Sequence, residues 1–296
     1  MNKKLMAGVL TAIMALTGCA GATTATTAAG TAGAAGTTTA AATTAGATDG
    51  KIVVGLEANY APFNWAQPDD SNGAIKIDGA SSYAGGYDVE IAKLIAKGLN
   101  KELVIKQVSW DGLIPAMENG AIDLIIAGMS ETPERAKNVD FSDVYYDSSY
   151  VILTKKGSQW DGKNKISDFA GARVIVQKGT NYEVIAPQLT GAEILPPLTT
   201  IPLIIHAIKN EAADLTVVEK PAGISILVSN DDIAMTDLDP NNSFVLEEGV
   251  TTAVSIALKK GETEMKAKIN EILKTISIKD REKLMEDVIK IQPDGV

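Results

Sequence analysis

The sequence predicts an α/β protein of two lobes, each a mostly parallel sheet flanked by helices. Three observations predict it. Short apolar runs with strand character alternate with segments of helical spacing from residue 50 onward. The alternation starts afresh, on a smaller scale, after Tyr150-Val151-Ile152-Leu153. The portion that carries it is about 247 residues long, more than one ordinary domain and comfortable for two.

The chain opens MNKKLMAGVLTAIMALTGCA, with Lys3 and Lys4 ahead of an apolar run that closes on small residues, the form of a secretion signal over residues 1–18. The run is shorter than the roughly 20 apolar residues of a bilayer-spanning helix. Cys19 is the only cysteine, so the exported protein has no internal disulfide and its thiol is either free or modified. Leu16-Thr17-Gly18-Cys19 resembles the bacterial lipobox, which implies a lipidated Cys19 as the mature first residue and a membrane anchor of more than one acyl chain, palmitate among them. From residue 20 to 48 the chain is Ala, Gly and Thr only. Such a segment has no core to bury and reads as a flexible tether, roughly 30 Å r.m.s. in span.

In the first lobe, residues 51–56 read as a buried strand and 67–86 as irregular, rich in Asp, Ser, Gly and Asn. Residues 87–96 have helical spacing, closed by Gly98. A strand follows at 103–108, then a helix capped by Asp111 that carries Leu113, Ile114 and Met117, then an apolar strand at 122–127. The second lobe repeats the logic: strand 173–177, short helix 181–186, longer helix 201–213, strand 214–219. A late strand at 255–258 precedes helices marked by Met265, Ile269, Ile272 and Ile276, and by Leu284, Met285 and Val288. His206, the only histidine, falls in an aliphatic segment and reads as a helix-surface residue. A net charge of −10 argues against nucleic acid as a partner.

Ligands of open α/β sheets collect at the carboxyl ends of strands, and three such ends here lead into polar turns. The first is Gly128-Met129-Ser130, leading to Arg135. If Thr132 caps a helix that starts at Pro133, Arg135 stands in its first turn, where the dipole costs a cation about 0.3–1 kcal/mol. The arrangement calls for an anion. The second is Gln177-Lys178-Gly179-Thr180-Asn181-Tyr182-Glu183, in which Thr180 and Glu183 have capping-box spacing and a helix start offers N–H groups. The third is Glu219, a carboxylate ending a strand.

These segments together resemble the polar amino-acid binding proteins of ABC importers, extracellular solute-binding family 3. The likeness is carried by WDGLIPAMENGAIDLIIAGMSETPERAKNVDFSDVYY at 110–146, with GLEANYAPFNW, GGYDVEIAKLIAKGL, RVIVQKGTNYE, AADLTVVEKPAG and SIALKKG, and it spans the mature domain. It implies a type II periplasmic-binding-protein-like fold, with lobe 1 at 50–147 plus 253–296 and lobe 2 at 148–252. Two hinge crossings near 145–149 and 250–254 let the lobes close over one free amino acid. It also implies that Arg135 pairs with the ligand α-carboxylate, joined by the Ser130 hydroxyl and main chain near Gly128. Thr180 and Asn181 would add N–H donors from the turn that begins at Gln177. Glu219 stands where the family usually has Asp, to receive the α-ammonium, one methylene longer. Tyr60 and Trp110 occupy positions that stack the ligand side chain, and Glu57 one whose carboxylate meets its far end. A carboxylate beside aromatic faces suits a cation, which favours Arg or Lys over Gln. Phe63 and Trp65 read as packing or pocket rim.

The implied partners are the free amino acid, an ABC permease and its ATPase subunit, and the membrane through the lipid anchor, with the protein itself a monomer without metal or cofactor. The chain has no GxxxxGK[ST] stretch for hydrolysing ATP itself. Two rivals exist. Exported dehydratases acting on prephenate-like acids resemble the same family, with Glu57 or Glu219 as general acid; the Ser130, Arg135 and Glu219 pattern instead suits a zwitterion held and released unchanged. A ligand-sensing receptor subunit is the other, and would need a separate partner to signal.

Overall fold

The computed structural model describes residues 50–293; the predicted signal segment, Cys19 and the tether lie outside the described residues. Strand β1 (Lys51–Leu56) is apolar on both faces and pairs in parallel with β6 (Glu102–Gln107), Val54 opposite Ile105. Parallel neighbours need a crossover, and α1 (Tyr87–Gly98) supplies it. Its apolar stripe, Val89, Ile91, Ala92, Ile95 and Ala96, is buried, and Asp88 and Glu90 stand in the first turn, where the helix dipole favours acids. Gly98 does not close this helix in a left-handed conformation; that role falls to Asn100, at φ 54°. Gly98 is the last helical residue, and a Cβ there would lie 2.6 Å from Ile272, so its bareness serves the contact with a later helix.

A second sheet spans residues 59–85, and its last two strands fall inside the stretch 67–86 read as irregular. Strands β2 (Asn59–Tyr60), β3 (Asn64–Gln67), β4 (Ile75–Lys76) and β5 (Tyr83–Gly85) pair in the order β2-β3-β5-β4. Trp65 and Gly85 are register partners, and a Cβ on Gly85 would meet the Trp65 indole at 2.8 Å. This small sheet fixes Tyr60.

A 3₁₀ turn at Trp110–Gly112 runs into α2 (Leu113–Glu118), so Asp111 lies inside the turn and caps nothing. Strand β7 (Leu124–Ile125) follows, then β8 (Val139–Tyr146). The chain then passes to a sheet built from β9 (Tyr150–Lys155), β10 (Arg173–Val174), β11 (Glu193–Ile194), β12 (Leu215–Glu219) and β13 (Ile233–Asp237), ordered β11-β10-β12-β9-β13. Helices α3 (Tyr182–Ile185), α4 (Ile201–Lys209) and α5 (Lys220–Ser229) belong to this half; His206 is exposed on α4, as expected. Strand β14 (Val254–Lys259) returns to complete the first sheet, ordered β6-β1-β7-β14-β8.

Both large sheets are mostly parallel in strand direction, as expected, each with one reversed strand, β14 or β9. β1 pairs in parallel with β6 and β7, while β14 runs antiparallel to β7 and β8; β10 is parallel to β11 and β12, while β9 is antiparallel to β12 and β13. The antiparallel strands are those that carry the chain across and back. The two crossings touch: the Thr252 hydroxyl donates to the Ser148 carbonyl at 2.6 Å.

Helices α6 (Thr263–Lys274) and α7 (Ile278–Ile291) follow. The end of α7 is held from both halves. The Asn72 amide donates to the Ile291 carbonyl at 3.1 Å, and buried Gln292 bonds to Ser225 of α5 through its side chain, accepting from the hydroxyl at 2.5 Å and donating to the carbonyl at 3.1 Å.

Candidate functional site

The carboxyl ends of the parallel strands converge where the two halves meet. Glu57 follows β1, Gly128 and Ser130 follow β7, Gln177 lies beyond β10, and Glu219 ends β12. All ten residues singled out in the sequence line one cavity: Glu57, Tyr60, Trp110, Gly128, Ser130, Arg135, Gln177, Thr180, Asn181 and Glu219, with Tyr182 as an eleventh. The space they enclose is about 20 Å³, room for about one water.

Arg135 is held from below. Its Nη1 donates to the Ser130 carbonyl at 2.8 Å and its Nη2 to the Gly179 carbonyl at 3.3 Å, with the guanidinium carbon 5.1 Å from the centre of the Trp110 ring. No described carboxylate lies within ion-pair distance of it. Burial weakens the guanidinium's hold on its proton and the Glu219 charge opposes this; an arginine stays protonated regardless. The predicted helix around it is a single 3₁₀ turn, Arg135–Lys137. The Thr132 hydroxyl accepts the Arg135 N–H at 3.1 Å, but the N-cap of the turn is Glu134, without a side-chain cap bond, and three residues carry no useful dipole, so the cation's setting is decided by burial and its two carbonyl partners.

Ser130 is buried, and its hydroxyl makes no hydrogen bond with the described residues. Gly128 sits at φ 62°, and a Cβ there would come 3.0 Å from the Tyr60 ring. Its N–H is already donated to the Tyr145 hydroxyl at 3.0 Å, and that hydroxyl donates to Asp88 at 2.6 Å. Gly128 thus provides wall and close approach, and its N–H is not free for a ligand.

The capping box expected at Thr180 and Glu183 does not form. The Thr180 hydroxyl donates to the Gln177 carbonyl at 2.6 Å, and the Glu183 carboxylate accepts the N–H of Gly179. The N-cap position of α3 (Tyr182–Ile185) falls on Asn181, one residue beyond Thr180, and its side chain makes no cap bond. The N–H groups of Thr180 and Asn181 have no partner among the described residues.

Two carboxylates complete the wall. Glu57, 4% exposed, accepts from the Gln177 amide, which stands 3.1 Å from both of its oxygens. Burial lifts its carboxyl to about 7, the Gln177 bond opposes the rise, and Asp111 adds to it. Glu219 is buried and accepts the hydroxyls of both Tyr60 and Tyr182 on one oxygen, Oε2. Burial raises this carboxyl too, against the two phenol bonds. The aromatic walls are partly committed: one face of Tyr60 stacks on Phe63 at 5.3 Å, and Trp110 sits beside Arg135 while its indole N–H donates to Gly179 at 2.9 Å. Phe63 and Trp65 are buried packing and do not line the cavity.

Residues 52–287 match the bacterial extracellular solute-binding proteins, family 3. The chain belongs to that family. This solute-binding protein is 29% identical over 248 residues to the arginine-binding extracellular protein ArtP of Bacillus subtilis, covering 80% of this chain and 86% of ArtP. It is 31% identical over 229 residues to the glutamine-binding protein GlnH of the same organism, covering 76% of this chain and 75% of GlnH. Among solved structures it resembles the amino acid ABC transporter substrate-binding protein AbpA of Streptococcus pneumoniae bound to L-arginine, with TM-score 0.69, 30% identity, and coverage of 82% of this chain and 95% of that one. The solute-binding protein therefore has the two-lobe, type II periplasmic-binding-protein-like fold.

Proposed function

We propose that this protein captures a basic amino acid, arginine or lysine ahead of glutamine, between lobes 50–147 plus 253–296 and 148–252, and delivers it to an ABC permease from a lipid-anchored position outside the cytoplasm. One observation carries the reading. The cavity presents one cationic side chain, Arg135, and two buried carboxylates, Glu57 and Glu219; a basic amino acid brings one anion and two cations. Arg135, the Ser130 hydroxyl and the Thr180 and Asn181 N–H groups take the α-carboxylate, Glu219 the α-ammonium and Glu57 the side-chain cation. The arginine-binding relatives support the same assignment.

An amino acid is far larger than about 20 Å³, so loading requires the walls to part at the crossings joined by Thr252 and Ser148. Several bonds between the two halves, Gln177 to Glu57, Tyr60 to Glu219 and Trp110 to Gly179, must open for it. Closure over the ligand is then favoured by contacts that only the closed form makes.

Thermal-shift screening of the twenty amino acids with ornithine and citrulline tests the reading. A micromolar ligand at 1 mM stabilises by about 4 kcal/mol, a rise of roughly 8–16 °C for a domain of this size. Arginine, lysine and ornithine should lead. A large shift with an acidic or neutral amino acid and none with these three would refute the choice of ligand.

A further inference from the structure

The Glu219 side of the cavity holds more oxygen than it holds protons. The hydroxyls of Tyr60 and Tyr182 both bond to Oε2 of Glu219, and the two phenol oxygens stand 3.0 Å apart. Each phenol has a single hydrogen. With Glu219 ionised, both hydrogens are directed at Oε2, whose two lone pairs are then filled. The contact between the phenols contains no hydrogen, and three acceptors remain: the oxygen of Tyr60, the oxygen of Tyr182 and Oε1 of Glu219.

Neither phenol is free to turn away. The Tyr182 ring is buried with its edge against Tyr150, 5.9 Å between centres, and Tyr150 is braced in the same way by Phe244 at 6.2 Å. Tyr150 is also the ladder partner of Glu219 across β9 and β12. Tyr60 is stacked on Phe63 and closed in by Gly128.

We propose that Tyr182 is a specificity-determining residue whose phenol oxygen, with that of Tyr60 and the remaining oxygen of Glu219, forms a three-acceptor seat for a primary ammonium. This rests on the reading that Glu219 receives the ligand's amine. A primary ammonium has three N–H donors, one for each oxygen. An N-methylated amine has two, and its methyl group leaves one buried acceptor without a partner, which is costly. The seat thus selects free α-amino acids against N-alkylated and deaminated analogues. It also gives the longer Glu219 a fixed position, since two phenols hold the carboxylate that the extra methylene would otherwise let turn.

The test is calorimetric titration of the wild type, Tyr182→Phe and Tyr60→Phe with L-arginine, Nα-methyl-L-arginine and 5-guanidinovalerate, and with L-glutamine and Nα-methyl-L-glutamine alongside. The wild type should prefer the free amino acid over its N-methyl form by about 20-fold or more, and Y182F should weaken the free amino acid about tenfold while changing the N-methyl and deaminated forms less than about threefold. Y60F should act in the same direction and carries the test if Y182F does not fold. Equal losses for all ligands would mark Tyr182 as packing alone and overturn the proposal, as would unchanged affinity for the free amino acid. If the wild type binds an amino acid without discriminating against its N-methyl form, only the seat is refuted. If it binds neither L-arginine nor L-glutamine, the functional reading falls and the seat with it.

Discussion

Binding of a cationic amino acid should depend on pH through Glu57. Its carboxyl sits at about 7 because burial outweighs the bond from Gln177, while a guanidinium or ammonium requires it ionised. If only the ionised form binds, the apparent dissociation constant is multiplied by 1 + 10^(pKa − pH), about 11 at pH 6 and about 1.1 at pH 8, so affinity should rise about tenfold over that interval. At pH 6 close to one proton is released on binding, measurable by titration calorimetry in buffers of different ionisation enthalpy. Glutamine is the control, because on the proposed assignment it would meet the same Glu219 but leave Glu57 without a cation. Stability follows the same linkage with a definite sign. The folded value is raised above the ordinary 4.5, so Glu57's contribution is fully present below about 4.5 and is lost as pH rises through about 7, on the order of 3 kcal/mol in the empty protein. Bound arginine should remove that loss. A flat profile for arginine between pH 6 and 8, or the same profile for glutamine and in Glu57→Gln, would refute the argument.

Three further outcomes follow from the geometry. Arg135→Lys keeps the charge but loses the fork held by the Ser130 and Gly179 carbonyls, so affinity should fall about tenfold or more with melting temperature nearly unchanged; equal affinity would show that the planar fork is not used. Gly128→Ala places a methyl 3.0 Å from Tyr60 at φ 62° and should cost about 1–3 kcal/mol by urea titration, with a proportionate loss of binding. Tyr145→Phe removes the hydroxyl that joins the Gly128 N–H to Asp88, leaving two buried groups short of a partner. About 2 kcal/mol is expected, a fall of roughly 4–8 °C in Tm; a change under about 1 °C would mean the pair finds another partner.

The large elements were legible because their apolar spacing is long enough to be unambiguous, as in α1 and β1, and the cavity residues because they fall in recognisable segments, several of them at or beyond a strand end. What was hidden has local causes. Strands of two or three residues, such as β4 and β5, are too short to show a period, so part of a sheet lies in a stretch that reads as irregular. Thr132-Pro133 is a helix-start signal, but a start signal does not fix how many turns follow, and the structure stops after one of 3₁₀ type. Tyr182 went unnoticed because a tyrosine in a helix is ordinarily core; only the fold brings its hydroxyl to a carboxylate 37 residues away. Likewise Asp88 reads as a favourable first-turn acid, and nothing in the chain order reveals that it supports Gly128 through Tyr145.

The stretch Ile291–Gln292, gripped by Asn72 on one side and Ser225 on the other, behaves like a door chain. In the proposed opening about the paired crossings, this short leash would draw taut unless Gln292 slipped out of its notch beside Ser225. The width of that proposed opening would then be limited by a residue that does not line the cavity.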